Sequence, residues 1–235
     1  MTERKDPVIA IDGPAGVGKS TAAARIAKDL GFILVDTGAL YRGVALAAQE
    51  RGIEWSDADA LAVLATALDL GFVNDPNGNP LLFIDGKNRS GDIRTPEISQ
   101  GASQVSAHPG VRNALLNIQR ILGRNGGVVL EGRDIGTVIF PDAEVKVFLT
   151  ASPEERAKRR VRDLEQRGMK AAYDETLAGI QDRDHRDSTR PVAPLRPADD
   201  ATIVDTTTLS LDEVLAILHE LVDRWRKGPE NPSEV

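Results

Sequence analysis

Gly13-Pro-Ala-Gly-Val-Gly-Lys-Ser20 matches G-x-x-x-x-G-K-[ST] at every fixed position. These residue types are what a loop needs to hold phosphate. Gly16 and Gly18 let the backbone turn its N–H groups inward and approach anionic oxygens closely. A helix starting at the loop adds the positive end of its dipole. Lys19 would reach the β- and γ-phosphates of a nucleoside triphosphate, and the Ser20 hydroxyl would face a Mg²⁺ ion. Pro14, Ala15 and Val17 complete the loop, and Thr21 follows it. A chance glycine-rich turn would lack the required flanks. Here an apolar run, Val8-Ile-Ala-Ile11, precedes the loop, and Ala22, Ala23, Ile26, Ala27 and Leu30 follow at helical spacing. The motif alone gives triphosphate binding and does not separate a kinase from a GTPase or a mechanical ATPase.

Other segments narrow the chemistry. No guanine-reading N-K-x-D segment occurs, and the glycine-rich loop and H-R-D set of protein kinases are missing. Val128-Val-Leu-Glu131 fits a strand ending in an acid beside the loop, and equally a plain charge at a strand end. Arg42, Arg112, Arg133, Arg183, Arg186 and Arg190 all fall where helices or loops begin or end. Each alone reads as a surface ion pair. Together they suit phosphoryl transfer between two anions, which asks the protein mainly to neutralise both and hold them in line. Arginine suits that task because its planar fork grips phosphate through two bonds.

The elements that must position these residues follow from hydrophobic spacing and breakers. Strands are expected at Val8–Ile11, Phe32–Val35, Val128–Leu130, Val145–Leu149 and Thr202–Asp205. Helices are expected from about 22 to 30 (stopped by Gly31) and over 39–50, 57–69, 96–107, 110–124, 153–167, 173–186 and 211–225. Asn77-Gly78, between Phe72-Val73 and Leu81–Ile84, signals a hairpin. It marks residues 70–95 as a small antiparallel insertion in an otherwise alternating chain. Five strands alternating with helices imply an α/β fold with a mostly parallel sheet. Ligands then bind beyond the carboxyl ends of the strands. The single domain would span 1–235, with 227–235 as a disordered tail.

Composition excludes several classes. With 41% hydrophobic and 28% charged residues, the 235-residue chain is an ordinary globular mix. Cysteine is absent, which removes disulfides, thiolate metal sites and a cysteine nucleophile. His108, His185 and His219 suggest no metal site. A net charge of −7 and only 4% aromatic residues argue against nucleic acid as a partner. Residues 151–196 nevertheless hold eleven Lys/Arg against nine Asp/Glu, a locally basic stretch suited to a small anion or to an ion-paired helix surface. No stretch approaches ~20 consecutive apolar residues, and the first apolar run is far shorter than a signal-peptide core. The expectation is a cytoplasmic protein with no membrane partner.

Five segments together resemble the bacterial cytidylate kinases, P-loop kinases of nucleoside monophosphates. They are the phosphate loop, Asp36-Thr-Gly-Ala-Leu-Tyr-Arg42, Gly101-Ala-Ser-Gln-Val105, Glu131-Gly-Arg-Asp-Ile-Gly-Thr137 and Arg183-Asp-His-Arg-Asp-Ser-Thr-Arg190. The similarity covers about residues 7–225. It implies a P-loop kinase fold and transfer of the γ-phosphoryl of ATP, with Mg²⁺, to CMP or dCMP by a monomer. It further implies that Thr37, Tyr41 and Arg42 line the monophosphate pocket. Arg133 and Arg190 would grip the acceptor phosphate, with Lys19 completing the catalytic set. Ser103, Arg112 and Asp134 would face the cytosine, and Arg183 and Asp187 the sugar. Glu131 would orient Mg²⁺ through water. The stretch 153–170, with Arg156-Ala-Lys-Arg-Arg-Val-Arg162, resembles a lid in which Arg159 or Arg160 touches the ATP phosphates. The competing readings are a kinase of another small acceptor such as UMP, AMP or shikimate, and a non-catalytic nucleotide switch.

Overall fold

The computed structural model describes residues 4–75, 79–166 and 168–228. The chain alternates strands and helices as the spacing predicts. Strand β1 (Val8–Asp12) is buried at every residue, as its unbroken apolar run requires. Helix α1 (Lys19–Leu30) ends at Gly31, whose φ of 69° lets its N–H return to the Ala27 and Lys28 carbonyls. Strand β2 (Ile33–Asp36) runs directly into helix α2 (Thr37–Glu50). That helix starts two residues before the spacing predicts, because the Asp36 carboxylate accepts the Ala39 N–H at 3.1 Å.

Helix α3 (Ala58–Ala67) leads into an antiparallel sheet of β3 (Leu70–Asn74), β4 (Pro80–Ile84) and the short β5 (Lys87–Asn88). The Asn77-Gly78 turn lies outside the described residues; the flanking strands pair from Leu70↔Ile84 to Asn74↔Pro80. Helices α4 (Pro96–Val105) and α5 (Pro109–Gly123) follow. Leu40, Val44, Leu61, Leu82, Ile84, Ile98, Val105 and Leu115 close one apolar core among these helices and the small sheet. Gly101 is required there: a Cβ would lie 2.5 Å from the Trp55 ring.

Strand β6 (Val128–Gly132) ends in a single π-helical turn, Ile135–Ile139. Then come β7 (Val145–Thr150), α6 (Pro153–Gln166), α7 (Tyr173–Thr189), β8 (Thr202–Asp205) and α8 (Leu211–Lys227). The five long strands form one sheet in the order β2-β6-β1-β7-β8, with every pairing parallel. Ile9, Ile11, Val129 and Val147 pack against α1 and α8 on one face. Val8, Ala10, Val35 and Leu130 pack against Ile135, Ile139 and Phe140 on the other. Lys227, expected as the first residue of the tail, is instead the last residue of α8, and residues 229–235 lie outside the described residues. All five carboxyl ends face one edge, where Asp12, Asp36, Glu131, Thr150 and Asp205 sit at or beside the strand ends.

Candidate active site

The phosphate loop bridges β1 and α1. Gly13 has φ +142°, and a Cβ there would lie 2.0 Å from the Leu149 carbonyl oxygen of β7. Gly16, with φ +81°, has Arg156 against it, leaving a Cβ only 3.2 Å. Lys19 is buried and its Nζ donates to the Pro14 carbonyl at 2.7 Å. Burial first, then the nearby Arg133 guanidinium, holds this ammonium well below the usual lysine range. The Val17 carbonyl accepts the Thr206 hydroxyl at 3.0 Å, while Thr21 is exposed on the first turn of α1.

Glu131 stands at the end of β6, opposite Asp36 of β2 in the strand register. The Ser20 hydroxyl donates to its Oε2 at 2.8 Å, and the Thr37 hydroxyl donates to its backbone carbonyl at 2.7 Å. A hydroxyl beside a carboxylate is an oxygen donor set that fits a hard divalent cation. Burial, then repulsion by Asp36, pushes the Glu131 carboxyl up to about 7. Its folded value therefore lies above its unfolded one, so this group's contribution to stability is greatest below about 4.5 and is lost as pH rises through about 7. Glu131→Gln removes that dependence. Without nucleotide or Mg²⁺, the variant should melt a few degrees above the wild type at pH 8 and near it at pH 5. Thermal unfolding at the two pH values checks this, and an equal shift at both contradicts it.

A second cluster is built on two buried carboxylates. Asp134 binds Arg112 of α5 through one oxygen and accepts Arg190, just past α7, through the other at 3.3 Å. The Arg112 guanidinium lies 5.4 Å from the Tyr41 ring centroid. The Tyr41 phenol is pushed up by its burial. Arg190 is pulled below the usual arginine range by burial and by Arg112 beside it. Asp187 of α7 accepts Arg133 Nε at 3.0 Å, has Arg183 Nε at 3.7 Å, and faces the Ser103 hydroxyl of α4 at 3.5 Å. Burial works to raise the Asp187 carboxyl, but Arg133 and Arg183 outweigh it and hold it below the usual range. Arg183 is brought down to about 10 by burial and by Arg133. Arg42 pairs with Asp36 at 2.5 Å.

The candidate residues thus gather in two adjoining groups, with Lys19 within the field of both Arg133 and Arg183. Arg42 Nε and Arg183 Nε are buried with no hydrogen-bond partner. Arginine nitrogens left so beside a phosphate loop are suited to an incoming anion. Arg159 reaches the loop's neighbour Thr206: its guanidinium donates to the Thr206 hydroxyl and carbonyl at 3.1 and 2.6 Å, and that hydroxyl donates to the Val17 carbonyl. Arg160 lies half-buried on the same helix. Arg186 is also half-buried, and its carbonyl accepts the Arg190 N–H at 3.2 Å.

Sequence reasoning missed Arg156 as a loop contact. Its side chain is 3% exposed, donates to the Ala15 carbonyl at 3.2 Å, and is paired through both terminal nitrogens with Asp184 of α7. The only available signal was its place at the start of the basic helix. Asp36 was also missed; it caps α2 and holds Arg42 at once. Asp12 was missed as well. It is buried at the end of β1, and its two oxygens accept the Ile135 and Gly136 N–H groups at 2.9 and 2.8 Å.

Comparison with known proteins adds an independent line. A protein-family model described as cytidylate kinase matches residues 9–224. A cytidylate kinase from Pasteurella multocida is 49% identical over 209 residues, covering 89% of this chain and 92% of that one. One from Geobacter sulfurreducens is 48% identical over 227 residues, covering 96% and 97%. The crystal structure of an uncharacterized protein from Eubacterium ventriosum matches with a TM-score of 0.51 and 13% identity, over 93% of this chain and 99% of that one. At that identity the likeness bears on the fold alone.

Proposed function

The chain belongs to the cytidylate kinase family, and from that membership we infer that it transfers the γ-phosphoryl group of ATP to CMP or dCMP, giving ADP and CDP or dCDP. The observation that carries the reading within the molecule is one anion site beside another. Lys19 of the phosphate loop lies in the field of Arg133 at the β6 end and Arg183 of α7, and Arg42 and Arg183 each have a buried nitrogen that makes no hydrogen bond. A nucleotide switch needs only the first site.

On this reading Gly13 to Thr21 hold ATP, with Lys19 on its β- and γ-phosphates. Arg133 and Arg190 hold the acceptor phosphate, and Thr37, Tyr41 and Arg42 line its pocket. Ser103, Arg112 and Asp134 face cytosine, and Arg183 and Asp187 the sugar. What supports the base assignment is hydrogen-bond polarity. Cytosine offers acceptors at N3 and O2 and a donor at its amine, so a guanidinium and a carboxylate match it; uracil reverses part of that pattern. In the free protein Arg112 and Asp134 bind each other, so the base must replace one good partner with another.

The reading includes Mg²⁺ with ATP. Among the described residues no group of three or more His, Cys, Asp or Glu could hold a metal, so the ion would arrive with the triphosphate. Ser20 would ligate it and Glu131 would act through water; when bound, the ion would neutralise charge developing on the transferred phosphoryl. The chain's own residues supply the rest: Lys19 and the arginines neutralise two anions, and the loop and the β6 end hold them in line. Residues 153–170 would act as a lid that excludes water, and the unit over 70–95 as the inserted part of the monophosphate region. We further take the protein as a cytoplasmic monomer acting on small molecules, with neither nucleic acid nor membrane as partner. No helix among the described residues is long and apolar enough to cross a membrane.

The test is ADP production from Mg-ATP with CMP, dCMP, UMP, AMP, GMP and shikimate offered separately. Fast turnover with CMP and dCMP and slow turnover with UMP is expected. Turnover only with another acceptor removes the cytosine assignments, and ATP binding with no acceptor-dependent turnover favours a switch.

A further inference from the structure

Asp12 is a carboxyl side chain with 5% exposure, and the phosphoryl-transfer reading gives it no role. No Lys, Arg or His among the described residues forms a direct ion pair with it. Its two oxygens go to two successive backbone N–H groups, Ile135 at 2.9 Å and Gly136 at 2.8 Å. These are the first amides of the π-helical turn, and that turn has no side-chain cap from its own segment. A buried carboxylate bonded to two amides is a charge-assisted anchor, stronger than neutral hydrogen bonds.

The anchored segment carries the acceptor cluster. Asp12 lies opposite Gly132 in the β1–β6 register, and the chain then leaves the sheet through Arg133 and Asp134. Arg133 projects to Asp187, and Asp134 bridges Arg112 and Arg190. The backbone of these two residues is thus pinned on one side by strand pairing at Gly132 and on the other by Asp12. On its own strand, Asp12 is followed at once by Gly13, the first residue of the phosphate loop. One side chain therefore joins the segment before the donor loop to the segment after the acceptor groups.

We infer that Asp12 is a positioning residue that fixes the acceptor-side segment at Arg133 and Asp134 relative to the phosphate loop. The inference rests on the kinase reading. In-line transfer is sensitive to this spacing, because a misplacement of about 1 Å can lower a rate by about 10²-fold.

Asp12→Asn tests it. The amide matches the carboxylate in size but turns one acceptor into a donor facing an N–H. The variant should lose roughly 30-fold in kcat/KM for CMP. Its KM for ATP should stay within about 3-fold, and its preference for CMP over UMP should fall by about 10-fold. Amide hydrogen exchange at Ile135 and Gly136 should quicken, while β1 and β6 stay protected. Wild-type kinetics, unchanged exchange at the two amides, or an equal loss toward both substrates with unaltered base preference each overturns the inference. If Asp12→Asn does not fold, Asp12→Ser, which keeps one hydroxyl acceptor, is judged by the same measures. A wild-type protein without CMP-dependent turnover overturns the kinase reading instead, and the exchange rates then decide the anchoring.

Discussion

Lys19→Met should lower kcat for CMP phosphorylation by about 10³-fold, the scale on which one preorganised charge acts in a transition state. The methionine stem nearly matches that of lysine, so little besides the ammonium is lost. In the nucleotide-free protein that ammonium is buried and held by one carbonyl; burial, Arg133 and Arg183 disfavour its charge and outweigh Glu131 and Asp12, which favour it. The variant should therefore melt at or slightly above the wild-type temperature while its turnover collapses. Steady-state kinetics paired with thermal unfolding checks both halves. A kcat above a tenth of wild type would remove Lys19 from the transferring site.

Asp134→Ala is expected to damage both fold and specificity. Asp134 is shared by Arg112 and Arg190, both nearly sealed from solvent. Removing one member of a buried charge group while its partners stay costs about 3–5 kcal/mol. Chemical denaturation should show that loss. On the proposed reading the same carboxylate accepts from the cytosine amine, so the preference for CMP over UMP should fall by roughly 10- to 100-fold. Relative rates with the two nucleotides separate the effects, since general loosening lowers both alike. An unchanged ratio would take Asp134 out of base recognition and leave it as an internal counter-ion.

Much of this was legible in the residues, for definite reasons. The phosphate loop is local: a strand, glycines at fixed positions, Lys19 and Ser20 are contiguous, so spacing alone implies geometry. The five sheet strands announced themselves as short apolar runs, and Thr202–Asp205 matched at both ends. Helix boundaries were less visible where a side chain outside the apolar pattern sets them, as Asp36 does for α2. The arginines were visible as residues, but their partners were not. Asp134 gathers Arg112 and Arg190 from positions 22 and 56 residues away, a pairing only the sheet order can make. Arg156 looked like one more charge on a basic helix. It became a loop contact only once the fold set α6 against Ala15 and Gly16. Asp12 carried no motif of its own, because its partners are backbone amides, which sequence does not mark.

The pre-paired arginines bear on the crowded ionic setting of any cell. Arg42, Arg112, Arg133, Arg183 and Arg190 each have an internal carboxylate within 4 Å. Free inorganic phosphate or sulfate has to compete with those carboxylates at every guanidinium it meets, and on the proposed reading it lacks the base that Arg112 and Asp134 would face and the sugar that Asp187 would face. Such ions should be poor competitors, because exchanging partners one at a time returns little free energy. On the proposed reading a nucleotide would engage several of these pairs in a single binding event. The carboxylates thus make the pocket a filter in which connectivity of the ligand, more than its charge, decides occupancy.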